Sequence, residues 1–219
     1  MPPYCCDPAH VVAGHFSDKI AARDLEGYRR NGPGVTTRLL LDGLRRAGAV
    51  SGSLLDVGAG IGALTFELLD AGVARATAVD PSPAYVSAAW QEAARRRRLQ
   101  DVHFVERDFL AVARDIPPAT IVTLDRVICC YPDYAGLLRE SLEHAEELLA
   151  LSYPRDTWYV RAWNLIDNAK RRFKGSTFRT FIHPSASMET VIAEAGLTRL
   201  SRRSTWTWCI DVYGREARR

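Results

Sequence analysis

No apolar run in the 219 residues approaches the ~18 that a membrane-spanning helix needs, so no span and no membrane partner are expected. The first ten residues, Met1 to His10, lack a basic patch followed by an apolar stretch; they do not read as a secretory leader, and the chain reads as cytoplasmic. Cysteine is scarce and odd in number, five in all, at Cys5-Cys6, Cys129-Cys130 and Cys209. Adjacent cysteines rarely bridge each other, so a disulfide framework is not expected. None of the spacings is a CxxC pair, and no metal is expected. Internal repeats and low-complexity linkers are absent. Neither sign of charge dominates: Lys and Arg number 29 against 26 Asp and Glu, a net +3 that permits an anionic partner without demanding one. The basic runs at 95–98 and 170–174 fall where helices are expected to end, where cations meet the negative end of the dipole. Apart from Phe173 no aromatic is interleaved with them as a single-strand binder would need, which disfavours nucleic acid as a partner.

What is present is a hydrophobic fraction of 47% and a charged fraction of 25%, the balance of one globular domain able to bury a substantial core. The stretch 16–30 is charged and helix-permissive until Asn31-Gly32-Pro33-Gly34 stops it. A helix is expected over 35–46, with Leu39, Leu40 and Leu44 on one face and Gly48 as terminator. Strand and helix then alternate. Strands are expected at 53–57, 75–79, 102–106, 120–124 and 148–152. Helices are expected at 63–69, 83–99 (Ser82 as cap, Pro83 in the first turn), 134–147 and 157–173. Such alternation builds right-handed βαβ units around a parallel sheet. The tail differs: a helix at 187–195 is closed by Gly196, and two strand-like runs, 198–204 and 206–213, follow with no helix between them. In the second, Trp206, Trp208, Ile210 and Val212 alternate with Thr207, Cys209 and Asp211, as in a terminal hairpin. The chain thus divides into an N-terminal lid or cap segment, 1–34, and one α/β domain, 35–219.

The strongest local signal is Leu54-Leu55-Asp56-Val57-Gly58-Ala59-Gly60-Ile61-Gly62-Ala63, an apolar strand running into a glycine-rich turn that opens a helix. With Ala63 in last place it also satisfies the dinucleotide fingerprint, so alone it is ambiguous. Its neighbours tilt the balance. Asp56 stands two residues before the first glycine, poorly placed for a pyrophosphate and well placed for an amino-acid ammonium group. Asp80 ends the second strand, where a carboxylate accepts both hydroxyls of a ribose. Asp108-Phe109 follows the third, offering an acceptor for an adenine amino group and a ring or main chain beside the base. Each acid taken singly reads as a cap or turn residue. Three in order on one rim of the sheet read as a ligand site.

This set resembles motifs I, II and III of class I S-adenosylmethionine-dependent methyltransferases, and Leu124-Asp125-Arg126-Val127 resembles motif IV. The resemblance runs from about Val35 to the C-terminus. It implies a doubly wound, Rossmann-like, seven-stranded sheet in the order 3-2-1-4-5-7-6 with an antiparallel C-terminal strand. The implied cofactor is S-adenosylmethionine, leaving as S-adenosylhomocysteine. By carry-over Gly58, Gly60 and Gly62 line the methionine part, Asp80 followed by Pro81 holds the ribose, and Asp108 and Phe109 hold the adenine. Leu124 and Asp125 border the sulfonium. In related enzymes a segment such as 16–34 folds over the cofactor; Tyr28 is then the residue expected to touch it, with Gly32 and Gly34 as hinges.

Methyl transfer needs alignment, exclusion of water and sometimes loss of a proton, so it leaves little catalytic signature. The motif IV region lacks the [DN]-P-P-[YF] pattern of amino-methylating nucleic-acid enzymes and the Pro-Cys pair used against pyrimidines; a small-molecule acceptor is expected. The stretch 126–133, with Ser152-Tyr153-Pro154-Arg155 and His183-Pro184, resembles small bacterial methyltransferases grouped loosely with magnesium-protoporphyrin O-methyltransferases. His183, Tyr131 and Tyr153 are the candidate catalytic residues, His183 as base and the two tyrosines also as walls of the site. Arg126, Arg155 and Arg161 are candidate contacts for an acidic substrate. Cys129-Cys130, with Cys5-Cys6 folded over, would suit a soft metalloid acceptor, although free cysteines more often serve as core. Three other readings stay open: a nucleic-acid or protein methyltransferase, a nicotinamide-dependent oxidoreductase, and a cofactor-binding scaffold without turnover. Both monomer and homodimer are compatible with the sequence.

Overall fold

In the computed structural model, which describes residues 16–48 and 50–215, two helices precede the sheet: α1 (Asp18–Asn31) and α2 (Val35–Ala47). Then come β1 (Ser53–Val57), α3 (Ala63–Ala71), β2 (Arg75–Val79), α4 (Pro83–Arg96) and β3 (Val102–Val105). The short α5 (Phe109–Val112) leads to β4 (Ala119–Asp125), α6 (Tyr134–His144) and β5 (Ala145–Pro154). The chain closes with α7 (Trp158–Phe173), α8 (Ser185–Glu194), β6 (Leu197–Ser204) and β7 (Trp208–Arg215). The strand order is β3-β2-β1-β4-β5-β7-β6, parallel throughout except that β7 runs antiparallel to both β5 and β6.

The sequence explains this layering. Leu54, Leu55 and Val57 of β1, and Ile121, Val122 and Leu124 of β4, are buried on both sides, as strands covered by helices on both faces must be. One core, around Leu40, Leu44 and Phe66, lies beneath α2 and α3. The other, around Phe109, Leu137, Leu138 and Met188, lies beneath α6 and α8. Strand order reverses between β1 and β4, which opens the crevice at their carboxyl ends.

Expected and observed boundaries differ where a local conformation overrides periodicity. α4 stops at Arg96 rather than Leu99 because Arg97 turns left-handed (φ 60°). α6 stops at His144 rather than 147: the imidazole is buried, with Nε2 2.9 Å from the Ala113 carbonyl, and the next residues already pair with β4. α8 starts two residues early, at Ser185. Trp206 belongs to the turn before β7, which starts at Trp208.

The basic run 95–98 is not merely solvated. Glu92, fully buried, accepts from Arg29, Arg95 and Arg96; Arg98 pairs with Asp70 and Asp101. Burial pushes the Glu92 carboxyl up, but the three guanidiniums outweigh it and hold it at about 2. This cluster fastens α1 to α4.

Candidate active site

The turn after β1 carries three left-handed glycines, with φ of 67° at Gly58, 56° at Gly60 and 78° at Gly62. They do different work. A Cβ on Gly58 would lie 2.4 Å from Val127 Cγ2, so this glycine lets the loop after β4 close onto the turn. A Cβ on Gly60 would meet nothing nearer than Tyr85, at 3.9 Å, so this backbone lies open to a ligand. Gly62 caps α3.

Asp80 lies beside Gly60, its carboxylate accepting from the Gly60 amide (2.9 Å) and the Ser82 amide (2.8 Å). Burial raises its carboxyl to about 6 against these two amides. A carboxylate has about four lone-pair sites, so two remain for hydroxyls. Pro81 is half-buried between these groups. Asp108 caps α5 by accepting from the Leu110 amide (2.8 Å) and also from the Tyr131 hydroxyl. An open glycine turn, a buried carboxylate with spare acceptor sites and a second capped carboxylate suit an adenosyl ligand.

Several residues named from the sequence take other places. Asp56 is 1% exposed, and its oxygens accept from Thr65 (2.6 Å) and Thr123 (2.7 Å). It ties β1 to α3 and β4 under the turn, and burial raises it to about 6. Phe109 turns its ring into the core against His144, leaving its main chain at the rim. Leu124 is buried, while Asp125 is held by Thr37 and Ser152, both at 2.6 Å. Tyr28 does not face the ligand side. Its hydroxyl donates to Glu67 (2.8 Å) and accepts from Arg96 (2.8 Å), placing it in the clasp between α1, α3 and α4. Tyr153 is equally committed, donating to buried Asp211 (2.7 Å) and accepting from Arg202 (3.0 Å). Burial raises the phenols of Tyr131 and Tyr153 well above their ordinary range, so neither supplies a phenolate base near neutral pH.

Among the described residues His183 makes hydrogen bonds through Nε2 and none through Nδ1. Nε2 lies 3.0 Å from the Tyr131 carbonyl and 3.2 Å from that of Ile128, so it carries the proton in the neutral ring. Burial lowers its pKa below the ordinary 6.5. The ring packs between Tyr134 and Phe181. Its segment belongs to a strap, 174–184, that crosses the rim; the Phe181 amide donates to the Cys129 carbonyl and Thr180 is held by Asn164 and Asn168.

Cys129 and Cys130 place their sulfurs 4.0 Å apart. Among the described residues no group of three or more His, Cys, Asp or Glu could hold a metal ion, and Cys5-Cys6 lies outside those residues.

Some site features were not anticipated. The Phe16 ring lies 4.9 Å from Tyr85 and 5.6 Å from Phe178, and its carbonyl accepts from Ser82. Tyr85 in turn donates to Asp24 of α1 (2.9 Å). These contacts bring the segment before α1 and the strap together beside the glycine turn. Nothing in the periodicity announces them. A second feature was half visible: Trp206 and Trp208 stood out in sequence as strand residues, yet they frame a cavity of about 390 Å³ with Gly34, Thr36 and Arg126.

The sheet order, the glycine turn and the acids at the ends of β2 and β3 define the class: this is an S-adenosylmethionine-dependent methyltransferase fold of class I. Residues 54–150 match the family model described as a methyltransferase domain. Among solved structures, the fold is similar to magnesium protoporphyrin IX methyltransferase (ChlM) from Synechocystis PCC 6803 with bound S-adenosylhomocysteine. Identity is 19% and the TM-score 0.72, over 96% of this chain and 100% of that one. It is also similar to N-methyltransferase NodS from Bradyrhizobium japonicum WM9, at 18% identity and a TM-score of 0.58, over 89% and 98% of the two chains. A third similar structure is a complex of the Trm112 methyltransferase activator of Haloferax volcanii with its methyltransferase (17% identity, TM-score 0.68, 95% and 99% covered). No curated protein matches the sequence.

Proposed function

We propose that this chain methylates a small-molecule acceptor carrying an anionic group, bound in the rim cavity between the start of α2, Arg126 and the β6–β7 turn. The observation that carries this reading is the state of Arg126. It stands directly after the motif IV aspartate in a left-handed conformation (φ 63°), it is one of the residues lining the cavity, and it forms no ion pair among the described residues. The other two candidate arginines are taken: Arg155 reaches the Thr205 carbonyl (3.4 Å) and Arg161 pairs with Asp156 (2.5 Å). An arginine without an ion pair among the described residues, in a cavity it lines together with two tryptophans, suits a flat acid, bound by charge at one end and by stacking along its face. The solved neighbour named for magnesium protoporphyrin IX is in line with a small-molecule acceptor.

S-adenosylmethionine, when bound, supplies an electrophilic methyl group on sulfonium. In this reading Gly60, Asp80, Asp108 and the Phe109 main chain hold it. Gly58, Gly62, Pro81, Leu124 and Asp125 shape the surrounding turn, and Asp56 braces it from below. Phe16, α1 and the strap act as a cap that keeps water out, while residues 1–15 of the expected cap segment lie outside the described residues. Thr37 and Ser152 fix Asp125 and hence the start of the loop that carries Arg126. Where the acceptor atom loses a proton, His183 Nδ1 receives it, while Tyr131 and Tyr153 serve as fixed walls.

The test is a screen of acidic aromatic acceptors and their neutral amides, read by S-adenosylhomocysteine formation, on wild type and Arg126→Gln. Acids should be preferred, and the variant should raise their KM about tenfold or more without changing cofactor affinity. A preference for neutral acceptors, or an unchanged KM, contradicts the reading.

A further inference from the structure

α7 is an amphipathic helix turned inside out. Its polar side faces the protein: Asn164 and Asn168 donate to the Thr180 carbonyl at 3.0 and 2.8 Å, and Arg171 lies over the Phe178 ring and pairs with Asp167. Val160 is its one buried residue. Its apolar side faces out, with Trp158 81% exposed, Trp163 68%, Leu165 70%, Ile166 51% and Phe173 92%. At 100° per residue Trp158, Leu165, Ile166 and Phe173 fall on one stripe, and Trp163 stands at its margin. Folding normally buries such a stripe; an apolar patch of this kind left outside marks a docking surface.

The charges around it indicate what docks there. Lys170 and Lys174 project from one margin of the stripe and Arg172 from the other, and among the described residues none of the three forms an ion pair. The one acid in the helix, Asp167, is neutralised by Arg171 on the inward side. Trp206, 76% exposed, extends the apolar area through Tyr159, whose ring is 5.3 Å away and whose hydroxyl donates to the Trp206 carbonyl. Apolar stripe, tryptophans at its edge and flanking cations long enough to reach headgroups together make the pattern of a helix that lies in a membrane interface.

We propose that the outer face of α7, with Trp206, docks this protein on an anionic lipid surface. No helix of the described residues is long and apolar enough to cross a membrane, and none is needed: a helix lying in the interface has no spanning length to satisfy. The expectation of no membrane partner rested on span length alone. The inference does not depend on the acceptor proposed above, because binding is read without turnover.

The test is co-sedimentation of the full chain with vesicles of phosphatidylcholine alone and of an equal mixture of phosphatidylcholine and phosphatidylglycerol. The wild type should pellet with the mixed vesicles, less at high salt, and far less with phosphatidylcholine alone. Lys170→Gln/Arg172→Gln/Lys174→Gln should weaken partition into the mixed vesicles about a hundredfold or more. Trp158→Ser/Ile166→Ser/Phe173→Ser should stay in the supernatant with both, while its thermal melt and S-adenosylmethionine titration match those of the wild type. A wild type that stays in solution with both vesicles overturns the proposal, as does a serine variant that pellets unchanged. So does light scattering that shows a wild-type dimer dissolved by the serine variant, because the face then belongs to a second copy.

Discussion

At the ends of β1, β2 and β3 the polar groups are bonded into the fold. Asp56 is held by two threonines, Asp80 by two backbone amides, and Asp108 by the Leu110 amide and the Tyr131 hydroxyl. Across the crevice, beyond β4, β5 and β7, the fold leaves groups unspent. Among the described residues Arg126 forms no ion pair, Trp206 is 76% exposed, and α7 shows its apolar side outward. The first half is preorganised for one invariant ligand, and its carboxylates need no rearrangement to receive it. The second half offers charge and exposed aromatic surface. In the function proposed above, cofactor recognition resides in the sheet and acceptor recognition in its additions.

The comparison breaks most sharply on stability. Asp56→Ala strands two buried threonine hydroxyls and should cost about 3 kcal/mol in a urea denaturation series. Arg126→Gln, across the crevice, should stay within about 0.5 kcal/mol of wild type in the same series. Similar losses in both variants would erase the distinction between a braced half and a free one.

A smaller effect sharpens the acceptor side. Burial lowers the His183 pKa, so its ring is neutral at pH 7 and becomes protonated only on the acid side of 6.5. With an acceptor that must lose a proton, the rate should fall as pH drops through that lower pKa. His183→Asn should remove this acid limb and slow turnover roughly a hundredfold at pH 7. An unchanged rate and profile in the variant would reduce His183 to a residue that positions the strap through the Ile128 and Tyr131 carbonyls.

How much of this was written in the sequence follows from the kind of signal each feature leaves. β1 and β2 start and stop where their apolar runs do, and Ser82-Pro83 marks the start of α4, because strand burial and helix caps are local. The terminal hairpin was visible for the same reason. The direction of single side chains was not. Tyr28 lies in α1, and a periodic pattern does not say that its hydroxyl meets Glu67 and Arg96 rather than a cofactor. Asp56 reads as a rim acid until Thr65 and Thr123, nine and sixty-seven residues away, are seen to take both its oxygens. Asp211 alternates as an outward residue, yet β7 lies between β5 and β6, and Arg202 with Tyr153 makes its burial tolerable. The cavity at Arg126 joins residues from α2, β4 and the β6–β7 turn, a meeting that only the sheet order brings about.

The central claim, that this rim is built for S-adenosylmethionine, is tested most directly by calorimetric titration of that cofactor and of NAD(H) into wild type and Asp80→Ala. Because burial lifts Asp80 to about 6, protons compete with the ligand below that pH. The account predicts S-adenosylmethionine binding that weakens as pH falls through about 6, loss of that binding in the variant, and no heat from NAD(H). An Asp80→Ala variant that binds S-adenosylmethionine as the wild type does, or a wild type that binds NAD(H) in its place, would contradict it.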